Sequence, residues 1–203
     1  MENCNKTAYY ACHIDNNGLN ESYLSFIPDS ITGNDFSFDI WLFIESGSQC
    51  IISQKDGFSF GLNNGYIVFS HPSIGEKYIK NGFIKYDSNE WIHFFVSYDS
   101  QKLVFAINGI PVQTEECIDK KMISTSEIQI GQKFTGYIRS FRLYSAAITP
   151  QDYKKYIYQT NYTNKEEMPD LYTFIDCNTS EIQDLGPKRL KVSAVNGCAI
   201  VDL

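Results

Sequence analysis

Apolar and polar residues alternate along most of this chain, in short runs broken by Gly, Asn, Asp and Ser. A period of two places every second side chain on one face, so the pattern predicts antiparallel strands. In Phe36-Ser37-Phe38-Asp39-Ile40-Trp41-Leu42-Phe43 the even positions are large and apolar and face a core, while Trp41 and Phe43 point the other way. Phe58 to Leu62 and Tyr66 to Phe69 flank Asn63-Asn64-Gly65, whose Asn-Gly tolerates the positive φ of a tight hairpin. Trp91 to Tyr98, Lys102 to Ile107 and the stretch around Pro111-Val112-Gln113 continue as a meander through Asp99-Ser100-Gln101 and Asn108-Gly109. Two further strands follow, one at Ile128-Gln129-Ile130-Gly131 and one at 136–144.

Helical periodicity is confined to Thr149 to Ile157. There Thr149 caps, Pro150 suits the first helical position, Asp152 stands where a capping-box acid would, and Tyr153, Tyr156 and Ile157 form one apolar edge. Asn161 to Pro169 is polar and reads as a linker, and Leu171 to Ile175 and Leu190 to Val195 resume the strand pattern. The fold class predicted is all-β, a two-sheet antiparallel β-sandwich with one short helix.

At 203 residues, 43% apolar and 15% aromatic, the chain has material for one large core, so a single domain over 1–203 is expected. A formal net charge of −7 argues against a nucleic-acid partner, which would need clustered Lys and Arg. The first residues lead into no apolar signal region, and no window reaches the roughly 18 apolar residues of a membrane span, so no membrane insertion is expected. Cys4, Cys12, Cys50, Cys117, Cys177 and Cys198 contain no C-x-x-C pair, which disfavours a thiolate metal site. An even number of cysteines fits up to three disulfides, and buried thiols fit equally well. The Asn-x-Ser/Thr triplets at Asn5, Asn20, Asn161 and Asn178 are ordinary for so Asn-rich a chain.

Three stretches together resemble the laminin-G-like and concanavalin-A-like lectin modules, including the pentraxin jelly rolls. They are Asp35 to Trp41; Asn89 to Asp99 followed by Ile107-Asn108-Gly109; and Ile130-Gly131 followed by Gly136 to Tyr144. The lectin-like domain of clostridial neurotoxins shows the same order more distantly. The resemblance implies a jelly roll acting as a non-enzymatic recognition module, whose partner is a glycan or a glycosylated or protein cell surface, in an extracellular or exported setting. Its alternatives are a purely protein-binding or assembly module and, less favoured, a glycoside hydrolase. Asp170 to Asp176 with Asp184-Leu185-Gly186 resembles the opening of such modules, which normally precedes the equivalent of Tyr23 to Phe26. Either 165–203 supplies strands that are usually N-terminal, as in a circular permutation, or it is a piece of a following repeat; tolerance of permutation near clustered termini favours the first.

Hydrolase relatives carry two carboxylates in acid-x-acid alternation on one strand face. That pattern is missing here: Glu115-Glu116 put neighbours on opposite faces, and Glu181 and Asp184 are wrongly spaced. His13, His71 and His93 are scattered, and His93 reads as a hydrogen-bonded strand histidine. For metal, the resemblance puts a calcium ligand at Asp56 and a second at about Ile123-Ser124, which offers at most a hydroxyl. No cofactor is expected beyond a weak calcium site, because calcium wants six to eight oxygens with carboxylate charge. The candidate ligand-binding residues are Trp41, Phe43, His71, Tyr78 and Lys133, aromatic faces and polar groups expected near one rim. Against this, a strand apolar on both sides usually has both sides covered, which favours a structural role for Trp41 and Phe95.

Overall fold

The computed structural model describes residues 10–16, 21–29, 34–45, 49–83, 90–117, 123–155, 157–158, 171–177, 181–196 and 198–202. These form two antiparallel sheets face to face. In chain order the strands are β1 (Tyr10–Ile14), β2 (Tyr23–Phe26), β3 (Phe36–Ile44), β4 (Gln49–Gln54), β5 (Ser59–Asn63), β6 (Tyr66–His71), β7 (Gly75–Phe83), β8 (Trp91–Tyr98), β9 (Lys102–Ile107), β10 (Ile110–Glu116), β11 (Ile128–Lys133) and β12 (Gly136–Tyr144). The helix α1 (Pro150–Tyr153) follows, then β13 (Leu171–Asp176), β14 (Gln183–Asp184), β15 (Ser193–Val195) and β16 (Ala199–Asp202). Sheet A runs β10-β9-β8-β3-β12-β1-β16, with β13 on β12 and β14 on β13. Sheet B runs β15-β2-β11-β4-β5-β6-β7.

The even positions of β3 do enter the core: Phe36, Phe38, Ile40 and Leu42 are fully buried. Phe38 of sheet A meets Phe58 at 5.2 Å and Phe60 at 5.5 Å between ring centroids, joining the two layers through offset and edge-on contacts. The β5–β6 hairpin turns at Asn64 and Gly65, both at positive φ, as the Asn-Gly pair predicts.

The helix is shorter than its pattern. Thr149 Oγ1 accepts from the Asp152 N–H at 3.1 Å, but helical geometry ends at Tyr153. A single turn gains little from propagation, so the segment is held by docking Tyr153 and Ile157 onto sheet A, where both are buried. The strand expected over Leu190 to Val195 narrows to 193–195, because Asp184 Oδ2 accepts the Leu190 N–H and ties the chain into a loop there. The expected linker at Asn161 to Pro169 lies outside the described residues.

β13 adds to β12 in register Phe141↔Ile175 and Arg142↔Phe174. Its side chains divide between the two faces, Tyr172 and Ile175 entering the core between the sheets while Leu171 and Phe174 join a second cluster under the helix. β16 pairs with β1 and β15 with β2, so the tail contributes to both sheets.

Candidate functional site

The face of sheet A turned away from the core is covered at one end and open at the other. Cross-strand registers stack its side chains in rows. At the covered end the row Ala106, Phe95, Asp39, Arg142, Phe174 runs across β9, β8, β3, β12 and β13. Tyr153 of the helix lies over it, stacked on Phe95 at 4.5 Å and on His93 at 5.2 Å.

Asp39 is the centre of this row. Its Oδ1 accepts from Arg142 Nε at 3.0 Å and lies 3.2 Å from His93 Nε2; its Oδ2 accepts from the Tyr144 hydroxyl at 3.1 Å. Burial alone would raise the Asp39 pKa, but the Arg142 guanidinium and the His93 contact outweigh it and hold the carboxyl below the usual range. Burial pushes the His93 pKa down against the pull of Asp39. A neutral His93 donating from Nε2 fits this, since its Nδ1 has no hydrogen-bond partner. With Asp39, His93 and Arg142 all 0–1% exposed, the cluster is a sealed brace beneath the helix.

At the open end Trp91, Phe43, Tyr137 and His13 form one row across β8, β3, β12 and β1, in registers Phe43↔Trp91, Tyr137↔Phe43 and His13↔Tyr137. All four are half-buried. Trp91 and Phe43 meet edge-to-face at 6.0 Å, Phe43 and Tyr137 at 5.6 Å, and Tyr137 stacks on His13 at 4.6 Å. His13 Nε2 lies 3.8 Å from Glu45 Oε2, giving the row a polar end. Trp41, two residues before Phe43 on the same face, extends the surface towards the helix. Its Nε1 donates to the Ile157 carbonyl at 3.2 Å, and its ring sits 5.9 Å from that of the exposed Tyr158.

A bulge makes the row geometrically consistent. Between Ile138 and Ser140 the β12–β3 register shifts by one. Tyr137 and Arg142 are five apart and would fall on opposite faces of a regular strand; the extra residue brings both to the outer face while Ile138 and Phe141 stay in the core. Gly136, at φ +146°, opens β12 directly beside Phe43, where a Cβ would fall 2.2 Å from the Phe43 carbonyl oxygen.

The candidate residues read from the sequence are thus only partly united. Trp41 and Phe43 share the open face, Phe95 is sealed under Tyr153, and His71, Tyr78 and Lys133 belong to sheet B. His71 turns inward and is buried, its Nδ1 accepting the Ser73 N–H at 3.1 Å, and Lys133 is exposed at the end of β11. The Tyr78 backbone pairs with Val68, but its side chain lies outside the described residues. Trp91, Tyr137 and His13 were not foreseen. Outward parity was readable for each, but their meeting depends on registers between strands far apart in sequence.

Around Asp56 the neighbouring backbone oxygens are already engaged. Asp56 occupies the β4–β5 turn at φ 58°, and Ser124 does lie beside that turn, its hydroxyl donating to the Lys55 carbonyl at 2.7 Å. The carbonyls of Ser124 and Ser126 converge there, but Gln54 Nε2 donates to both at 2.9 Å. The amide thus takes up two of the oxygens near the turn, and among the described residues no group of three or more His, Cys, Asp or Glu side chains is arranged to hold a metal. A recess of about 410 Å³ between β8–β10 and the helix start, lined by Ser97, Val104, Pro111, Thr114 and Ile148, also contains Asp99. That carboxylate is engaged by the Gln101 and Lys102 N–H groups, which leaves the recess a weaker candidate than the aromatic row.

Residues 17–152 match the family model described as concanavalin A-like lectin/glucanases superfamily. The chain belongs to this superfamily. Among solved structures, this lectin-like chain is similar to a candidate carbohydrate binding protein from Bacteroides ovatus, with a TM-score of 0.74 at 14% identity over 97% of this chain and 60% of that one. It therefore spans about 60% of the length of that protein. The heptameric SAP-like pentraxin of Limulus polyphemus matches with a TM-score of 0.60 at 12% identity over 97% of this chain and 94% of that one. The binding domain of botulinum neurotoxin DC, solved in complex with rat synaptotagmin II, matches with a TM-score of 0.53 at 15% identity over 79% and 53%. At such low identities these likenesses show the fold alone. Comparison with curated protein sequences gives no match. No helix among the described residues is long and apolar enough to cross a membrane.

Proposed function

We propose that this chain is a non-catalytic recognition module that binds glycan on the open aromatic row of sheet A. The observation that carries the reading is the row itself: Trp91, Phe43, Tyr137 and His13, half-buried and contiguous across four strands. Rings fixed by their neighbours offer apolar surface to the C–H faces of sugars without losing rotamer freedom on binding, while His13 and Glu45 supply polar groups for hydroxyls at one end. At about 4.8 Å between strands, four residues span on the order of 14 Å, the length of a short oligosaccharide. The Bacteroides relative, itself a candidate carbohydrate binder, supports the ligand class.

The carboxylates suit binding better than hydrolysis. Asp39 is sealed, Asp184 accepts the N–H groups of Phe174, Gly186 and Leu190, and Glu45 pairs with His13. A glycan array probed with the wild type and with a Trp91→Ala/Tyr137→Ala double variant tests the proposal. The wild type should bind a subset of glycans, and the variant should lose at least about tenfold in affinity with its circular dichroism unchanged, each anchor contributing roughly 1 kcal/mol or more. A wild type that binds no glycan but retains a protein partner, or a variant that binds glycan undiminished, overturns it.

A further inference from the structure

Cys12, Cys177 and Cys198 are distant in sequence but meet where β1, β13 and β16 converge. β1 and β13 lie end to end along the same edge of β12. Cys12 is paired with Ile138, and the Cys177 N–H donates to the carbonyl of Arg139, the next residue of β12. β16 then pairs with the other edge of β1 in register Cys12↔Ile200, which puts Cys198 diagonally beside Cys12 on the same side of the ribbon. Cys12 and Cys177 are fully buried in the core, and Cys198 packs against that core while remaining partly exposed. All three are thiols in this structure.

From this convergence we infer that Cys12 and Cys198 form a disulfide when the protein meets a small disulfide oxidant, locking β16 onto β1. The diagonal placement brings the two thiols close enough to influence each other's ionisation, the pKa of Cys198 being lowered and that of Cys12 raised. Cys198 is also the more accessible of the two, so it is the attacking group. Its thiolate attacks one sulfur of RSSR, forming a mixed disulfide and releasing RS⁻. Cys12 gives up its proton, attacks the Cys198 sulfur and expels the second RS⁻. The net reaction is RSSR plus two protein thiols giving one protein disulfide and two RSH. Cys177 stays reduced, because it lies off the β1–β16 ribbon, at the end of β13 where its N–H is bound to the Arg139 carbonyl of β12.

The bond would close a loop of nearly the whole chain, which restricts the unfolded state most and is independent of any ligand. The full chain is incubated with oxidised glutathione, remaining thiols are alkylated, and peptides are mapped by mass spectrometry. The expected product has lost two hydrogens, contains a Cys12–Cys198 linked peptide, and melts on the order of 10 °C higher until a reductant reverses the change. The Cys198→Ser variant should lose both the link and the shift, and Cys177→Ser should keep them. All cysteines remaining alkylatable, a link to Cys4 or Cys177 instead, or a shift that survives Cys198→Ser overturns the inference.

Discussion

At Asp39 burial and pairing pull in opposite directions, and pairing wins: the carboxylate stays charged because Arg142, His93 and Tyr144 each direct a donor at it. His93 runs the other way, since burial keeps it neutral. Both pKa values are lower in the folded chain than in the unfolded one, so both give stability that is present at higher pH and lost on acidification. Loss starts as pH falls below about 6.5, where an unfolded histidine takes up a proton that folded His93 resists, and deepens below about 4 as the unfolded carboxyl titrates. The melting temperature should therefore fall through this range, and Asp39→Asn, which strands the buried Arg142, should cost about 3–5 kcal/mol at pH 7 in urea denaturation. A variant within 1 kcal/mol of wild type, or a melting temperature flat from pH 7 to 4, would contradict the brace. The sequence marks His93 as a strand histidine, but the partnership of Asp39, Arg142 and Tyr153 depends on three strands and a helix meeting, which no local pattern encodes. At Asp56 the sequence points to the Ile123-Ser124 segment as its neighbour; that the Gln54 amide binds the carbonyls of Ser124 and Ser126 is visible only in three dimensions.

Among the elements, β3 and β8 are legible because their outward residues alternate cleanly against large apolar ones. The bulge in β12 is not, since an extra residue looks the same in sequence as a regular one until its partner strand is known. The tail shows what packing adds to pattern. All six residues of β13 are buried, four of them large apolar side chains shared between the core and the cluster under the helix. At roughly 1.5–3 kcal/mol for each fully buried large side chain, two of them approach half the stability of a marginal domain. We propose on this basis that 165–203 is an integral part of one domain, supplying strands that are N-terminal in related modules. Deleting 165–203 should give an aggregated or unfolded product by size exclusion and circular dichroism. A truncated monomer with an unchanged melting temperature would assign the tail to a neighbouring repeat instead.

Across the whole molecule, one sheet face does two jobs. Its covered end, under Tyr153, is braced by a buried charge network, and its open end carries the aromatic row, held in place by the same strands. Sheet B holds the residues that the sequence had grouped with Trp41 and Phe43, because a shared rim was inferred from loop positions while the two sheets place Lys133 and His71 in the other layer. The most direct test of the account is amide and indole NMR, with the tightest-binding array glycan titrated into the ¹⁵N-labelled chain. Shifts should concentrate at Phe43, Trp91, Tyr137 and His13, including the Trp91 indole N–H. Shifts clustered at Lys133 and the β6–β7 hairpin, with the aromatic row unmoved, would contradict it.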